Sequence, residues 1–241
     1  MKKIIITIVL NLLIVSCDSP LSEIAITQPG LIKPLINIKK STFELGYRLD
    51  QITVQLKDSK NEDVELKGGA VIFKGMKLPY LNYLFGDSYY KLSSEDCGCT
   101  LLFPDSTYRI RIQLADSIEY FAEILMPEID IKSLDVPSSH NKAVDMKISW
   151  SDTSYLFPQK IEFKYSYRIN STSEDSTIYM VIPDPISGWF LIDQEYFTIE
   201  DDIWQVEITV ISETEGILDN RFLAGGYIKS RFSIKRKIQI E

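Results

Sequence analysis

Three cysteines carry the sharpest chemistry in this chain of 241 residues, and they fall into two settings. Cys17 closes the run Ile14-Val15-Ser16-Cys17, which follows a basic start, Lys2 and Lys3, and an apolar stretch from Ile4 to Val15 interrupted only by Thr7 and Asn11. That order is the order of an export signal. The stretch is shorter than the roughly 18 residues that cross a bilayer as a helix, so a cleaved signal is a better reading than a permanent span. A small residue directly before a cysteine turns the close into a lipobox, in which residues 1–16 are removed and the Cys17 sulfur carries diacylglycerol. Several acyl chains on one residue satisfy the rule that stable anchoring takes more than one lipid. The expectation is attachment to a membrane through lipid, without spanning it.

Cys97 and Cys99 flank Gly98. Outside the cytoplasm two such thiols form either a local disulfide, whose tight ring the glycine relieves, or remain a free pair. The spacing is one residue short of the C-x-x-C redox motif. A zinc site needs more ligands than the chain offers, because His140 is the only histidine and there is no second cysteine pair. No metal or other cofactor is expected. His140 lies in a polar stretch, 137–142, and reads as a solvated loop residue.

Enzymatic constellations are thin. There is no G-x-S-x-G elbow, no H-E-x-x-H and no glycine-rich phosphate loop. The densest acidic cluster, Glu195, Glu200, Asp201 and Asp202, precedes Trp204 and reads as a solvated turn, with paired-carboxylate hydrolysis or weak calcium binding as its functional alternatives. Formal charge is −8 at pH 7, and no basic stripe is present, which argues against a nucleic-acid partner. Lys235, Arg236 and Lys237 near the end read as charge protecting an edge strand.

The elements that must position these residues are strands. From Leu35 onward apolar residues recur at every second position, as in Ile52-Thr53-Val54-Gln55-Leu56 and Val144-Asp145-Met146-Lys147-Ile148-Ser149-Trp150. No long segment has helical spacing. Strands are expected at 64–66, 68–73, 118–126, 129–136, 160–169, 177–182, 189–197, 204–212 and 227–240, with alternation also following Tyr108 up to Ile112 and a polar hairpin turn at 57–63. Residues 77–90 are irregular and aromatic, with Tyr80, Tyr83, Phe85, Tyr89 and Tyr90 read as a lid over one end of a sandwich, the alternative being a recognition surface. The fold class is all-β, with two tandem β-sandwich domains. The divisions are 1–16 signal, 17–34 lipidated N-terminus and proline-containing spacer, 35–127 first domain and 128–241 second domain.

Leu102-Phe103-Pro104-Asp105-Ser106-Thr107-Tyr108 resembles the tyrosine corner of immunoglobulin-like and fibronectin type III sandwiches, which implies a structural role for Tyr108. Trp150 at a strand end is similar to the core tryptophan of fibronectin type III domains, and Trp204 is read as structural beside it. Asp105-Ser106-Thr107, Asp116-Ser117-Ile118 and Asp175-Ser176-Thr177 resemble the acceptor motif for O-glycosylation of exported Bacteroidota proteins, although Asp-Ser is also ordinary turn chemistry. Together with the lipobox, these features resemble the two-part cell-envelope lipoproteins of Bacteroidota encoded beside TonB-dependent receptors. That resemblance implies an outer-membrane lipoprotein that is not an enzyme, binding a protein or glycan as an accessory to a transporter. A structural adhesin or fimbrial component is the alternative.

Overall fold

In the computed structural model, which describes residues 25–43, 48–83, 86–103, 105–127, 134–151, 158–169, 172–200 and 202–241, the period-two alternation becomes strands that bury one face. The first half of the chain forms β1 (Lys33–Thr42), β2 (Arg48–Lys57), β3 (Ala70–Phe73), β4 (Met76–Lys77), β5 (Tyr80–Leu81), β6 (Tyr89–Ser93), β7 (Thr107–Gln113) and β8 (Glu119–Leu125). The second half forms β9 (Leu134–Asp135), β10 (Ser139–His140), β11 (Met146–Trp150), β12 (Lys160–Ile169), β13 (Thr172–Val181), β14 (Trp189–Ile192), β15 (Ile203–Glu215), β16 (Ile217–Leu218) and β17 (Tyr227–Ile240). One short helix, α1 (Ser94–Cys97), follows β6, and the Ser93 and Asp96 side chains cap its N-terminus reciprocally.

A long sheet runs through both halves in the order β13-β12-β15-β17-β1-β2-β6-β5, with β10 beside the far end of β17. Two smaller sheets, β16-β8-β7-β3-β4 and β14-β11-β9, complete the sandwiches. Along β17 the residues Ile228, Ser230, Phe232, Ile234 and Ile238 are all buried and share one face, so both small sheets cover the same side of the long sheet. The opposite face is held to solvent by cross-strand ion pairs, including Lys229–Glu215 at 3.0 Å, Lys235–Glu207 at 2.7 Å and Arg231–Glu162 at 3.2 Å. Of the basic run in β17, Lys235 and Lys237 fall on this outer face and Arg236 on the inner one, and the run lies between the end of β1 pairing at Ile234 and the start of β10 pairing at Gln239, where β17 is paired on the β15 side alone.

The boundary at 127/128 is not a break in the hydrogen bonding. β17 pairs in parallel with β1, from Leu35↔Tyr227 to Thr42↔Ile234, while its other edge pairs with β15 from Lys229 to Gln239. The chain end thus serves both sandwiches. From β15 the chain also reaches into the first sandwich, where β16 pairs with β8 and Thr214 Oγ1 and Ser230 Oγ both bond to Leu125 O at 2.8 Å. Gly216 and Gly226 mark the entry and exit of this excursion. A Cβ at Gly216 would lie 2.2 Å from Glu123 O, and one at Gly226, whose φ is +132°, would lie 2.3 Å from Pro34 O.

Several local expectations change. The spacer ends earlier than residue 34, because Ile26 O accepts from Ala115 N at 3.0 Å, Ile32 is fully buried and Pro34 already pairs in β1. Residues 64–66 form no strand; they belong to the connection between β2 and β3, from which Val64 and Leu66 are buried in the core. Residues 77–90 are partly regular, since β5 and β6 pair there, and Tyr90 is a core residue of β6, buried against Tyr80 and accepting from Leu66 N at 2.6 Å. That burial pushes the Tyr90 phenol pKa well above its ordinary value. Tyr83 and Tyr89 stack on each other in the open, and Phe85 lies outside the described residues.

Candidate binding surface

Trp150 is buried at the end of β11, on the face with Met146 and Ile148, while Val144, before the strand, is exposed. Its indole Nε1 donates to Pro185 O at 3.0 Å and its backbone N donates to Gly188 O at 2.8 Å. Those two bonds fix the turn that leads into β14, where Gly188 takes the left-handed conformation at φ 78°. The turn in turn decides the phase of β14. Ile192 faces the core with Phe190, and Trp189 and Leu191 face solvent, each 45% exposed.

Around these two side chains the outer face of the small sheet becomes a shaped surface. Lys147, opposite Leu191 on β11, holds its ammonium 5.7 Å from the Trp189 ring centroid. Beside them a shallow depression of about 350 Å³ is lined by Ile182, Pro183, Asp184, Ser187, Trp189 and Leu191. Ser187 Oγ lies 2.9 Å from Trp189 O, and Ile186, 71% exposed, stands on the rim. The arrangement offers a flat aromatic ring, aliphatic neighbours and a few polar edges. It can stack a planar or sugar ring, or accept an apolar side chain, and it has no nucleophile set against a base.

The sequence-derived candidates distribute as follows. Cys17 and Asp201 lie outside the described residues. Cys97 and Cys99 are joined in a disulfide, their Cα atoms 5.2 Å apart, with Gly98 between them in the left-handed conformation. A depression beside it is lined by Arg48, Asp50, Ser94, Glu95 and Thr100. Tyr108 is buried in the first sandwich, where its hydroxyl bonds Phe103 at both backbone N and O, and the Lys74 ammonium sits 5.0 Å from its ring centroid.

Trp204 does not join the core. It is 42% exposed, because β15 pairs Gln205 with Ser166 and Ile203 with Tyr167, leaving Trp204 as the extra residue of a bulge that turns Ile203 inward instead. His140 is likewise not a solvated loop residue. It is buried in β10, its ring 4.6 Å from that of Phe197 and its Nε2 2.9 Å from Val144 O. Ser106 and Ser117 lie beside turns, whereas Ser176 lies inside β13 opposite Tyr165, because that strand begins at Thr172, well before Thr177.

Glu195 is exposed and Glu200 half-buried, and among the described residues no group of three or more His, Cys, Asp and Glu is arranged to hold a metal ion. The depression near Trp204 is lined by Ser138, Gln205, Lys237 and Gln239.

The surface around Trp189 was not anticipated from sequence, where 189–197 reads as a strand. Its signal is present nonetheless. Trp189-Phe190-Leu191-Ile192 is apolar on both phases of the alternation, so a strand at the rim of a sandwich must expose half of it.

No protein-family model and no curated protein matches the chain. Among solved structures it is weakly similar to the chicken CNTN1 FN1-FN3 domains, at 12% identity over 85% of this chain and 68% of that chain, with a TM-score of 0.26. A likeness at that level carries no argument. The all-β sandwich architecture stands on strand pairing and burial.

Proposed function

We propose that the protein is a lipid-anchored binding module of the cell envelope, without enzymatic activity, that engages a protein or glycan partner through the Trp189 surface. The observation that carries this reading is the pair Trp189 and Leu191, displayed together on an outer sheet face by a turn that the buried Trp150 fixes. Large aromatic side chains at such positions supply contact area at little entropic cost. Accessory binding to an outer-membrane transporter is the finer form of the proposal, supported by the lipobox at Cys17 and the resemblance of the chain to lipoproteins encoded beside such receptors.

The test is affinity capture from native membranes with the wild-type protein and with a Trp189→Ala/Leu191→Ser variant. A partner retained by the first and lost by the second supports the reading; equal recovery by both removes this surface from it. Release of a Cys17→Ala variant into the soluble fraction tests the anchor separately.

One observation favours assembly of the adhesin kind as a second reading. β13 is a ten-residue strand at the edge of the long sheet, with Tyr179 and Val181 both exposed. Open edges of that length accept a further strand. Self-association abolished by a proline within β13, and unaffected by Trp189→Ala, would favour it.

A further inference from the structure

The pole of the first sandwich where the described chain begins exposes aliphatic side chains that its fold does not use. Leu31 is 56% exposed, Ile118 47% and Leu223 83%. All three are tied to one end of the sandwich. The entering segment bonds to the β7–β8 turn through Ile26 O and Ala115 N, and the same turn is closed by Leu114 N donating to Ile118 O at 3.0 Å.

Leu223 belongs to the loop between β16 and β17 and lies against the entering segment, since a Cβ at Gly30 would meet its Cδ1 at 3.4 Å. Its neighbour Phe222 is buried against Tyr120, with ring centroids 5.6 Å apart, and fixing Phe222 inward leaves Leu223 outward. Next to them is a depression of about 350 Å³ lined by Ala25, Ile26, Leu31 and Val64, with Asp58 and Ser59 at its edge.

Only residues 18–24 separate Cys17 from Ala25. At the maximal extension of a peptide chain the two lie within about 28 Å of each other, so a lipid on Cys17 keeps this pole next to the surface that holds it. We infer that the pole docks onto that lipid surface, with Leu31, Ile118 and Leu223 entering the headgroup layer. The inference rests on the lipid-anchor reading above. The charges nearby are mixed, with Asp58, Asp116 and Asp219 among Lys67 and Arg221, so the contact is made by apolar burial and suits zwitterionic lipid. Docking in this way points β17 away from the membrane. The strand rises roughly 45 Å over its length, which carries the second sandwich outward, with the turn before Trp189 at its nearer end, level with Ser233 through Gln159 and Ile211.

The test uses the acylated full-length protein in vesicles of phosphatidylcholine and phosphatidylethanolamine. An environment-sensitive dye is attached through Leu223→Cys in one sample and through Ile186→Cys, in the second sandwich, in another. Both positions are exposed, so neither substitution disturbs the fold. The expected result is a blue shift of the label at 223 and loss of its emission when the headgroup-proximal carbons of the lipid are brominated, with no change at 186. If the protein floats with the vesicles and both labels respond alike, docking is refuted while the anchor stands. Failure to float refutes the anchor and docking together. Concentration-dependent shielding of position 223 in lipid-free Cys17→Ala protein would make a second copy the occupant and overturn the inference.

Discussion

Lys40 and Asp50 oppose each other across β1 and β2, Nζ 3.5 Å from Oδ1, and each side chain is only 3% exposed. The pair does more than neutralise itself. Asp50 Oδ2 accepts from Leu101 N at 3.0 Å and Leu102 N at 2.9 Å, and Lys40 Nζ donates to Leu102 O at 2.7 Å. Two strands of the long sheet thereby hold the irregular segment that runs into the Tyr108 corner, and the buried charges are satisfied by backbone as well as by each other.

Removing the carboxylate should therefore cost more than removing the ammonium. Asp50→Ala strands a buried Lys40 and orphans two amides, and urea unfolding should register a loss of about 3–5 kcal/mol. In Lys40→Met the carboxylate keeps both amide donors, and the loss should be smaller. The double variant should not return to wild-type stability, because Leu101 N and Leu102 N remain without an acceptor, at about 1–3 kcal/mol each. Full recovery in the double variant would show that the backbone bonds contribute nothing.

This pair also shows what was legible in the sequence and what was not. Alternation located β2, β7, β8, β11 and β12 closely, because each buries one face and the period of two records it. In the same phase Ile36, Ile38 and Lys40 point inward, so a lysine at an apolar position was a visible sign of a buried partner. Partners distant in sequence were not legible. Nothing in Tyr227–Ile240 says that it pairs with residues 35–42, and the parallel pairing that joins the two halves is a property of topology alone. Trp204 misled for a local reason: a bulge adds one residue and exchanges the faces, which no count of alternation detects.

The shared strand predicts how the protein comes apart. A fragment of residues 25–127 retains β1 and β8 but loses β17 and β16, their partners, and so opens an edge on each sheet of the first sandwich. It should show little fixed tertiary structure by near-ultraviolet circular dichroism, and addition of a peptide spanning 212–241 should restore part of the signal. Cooperative unfolding of 25–127 alone would show that the first sandwich is independent of the chain end.

Asp219 supplies a pH dependence with a definite sign. Arg221 grips its carboxylate through Nε at 2.8 Å and Nη2 at 2.6 Å, and these bonds hold its pKa down to about 2 against an opposing contribution from burial. A carboxylate whose pKa is lower folded than unfolded stabilises the fold above its unfolded pKa, near 3.9, and loses that contribution as pH falls through its folded value. Thermal melts between about pH 4 and pH 2 should therefore fall more steeply for wild type than for Asp219→Asn. Identical slopes would place the coupling in the unfolded chain as well. The loop in question carries Phe222 and Leu223, so acid should also loosen the pole that exposes Leu31, Ile118 and Leu223.

The three tryptophans should separate by role in a single set of measurements. Trp150 is buried and its indole supports the Pro185 turn, so Trp150→Ala should cost about 3–5 kcal/mol and remove the most blue-shifted emission. Trp204 and Trp189 are both roughly half exposed, and alanine at either should change stability by only about 0.5 kcal/mol. Acrylamide should quench the emission these two contribute and spare that of Trp150. Partner capture then divides the exposed pair, being lost with Trp189→Ala and kept with Trp204→Ala. Trp150→Phe completes the set, because it fills most of the cavity but cannot donate to Pro185 O; a folded variant that still binds normally would show that the turn holds Trp189 in place without that bond.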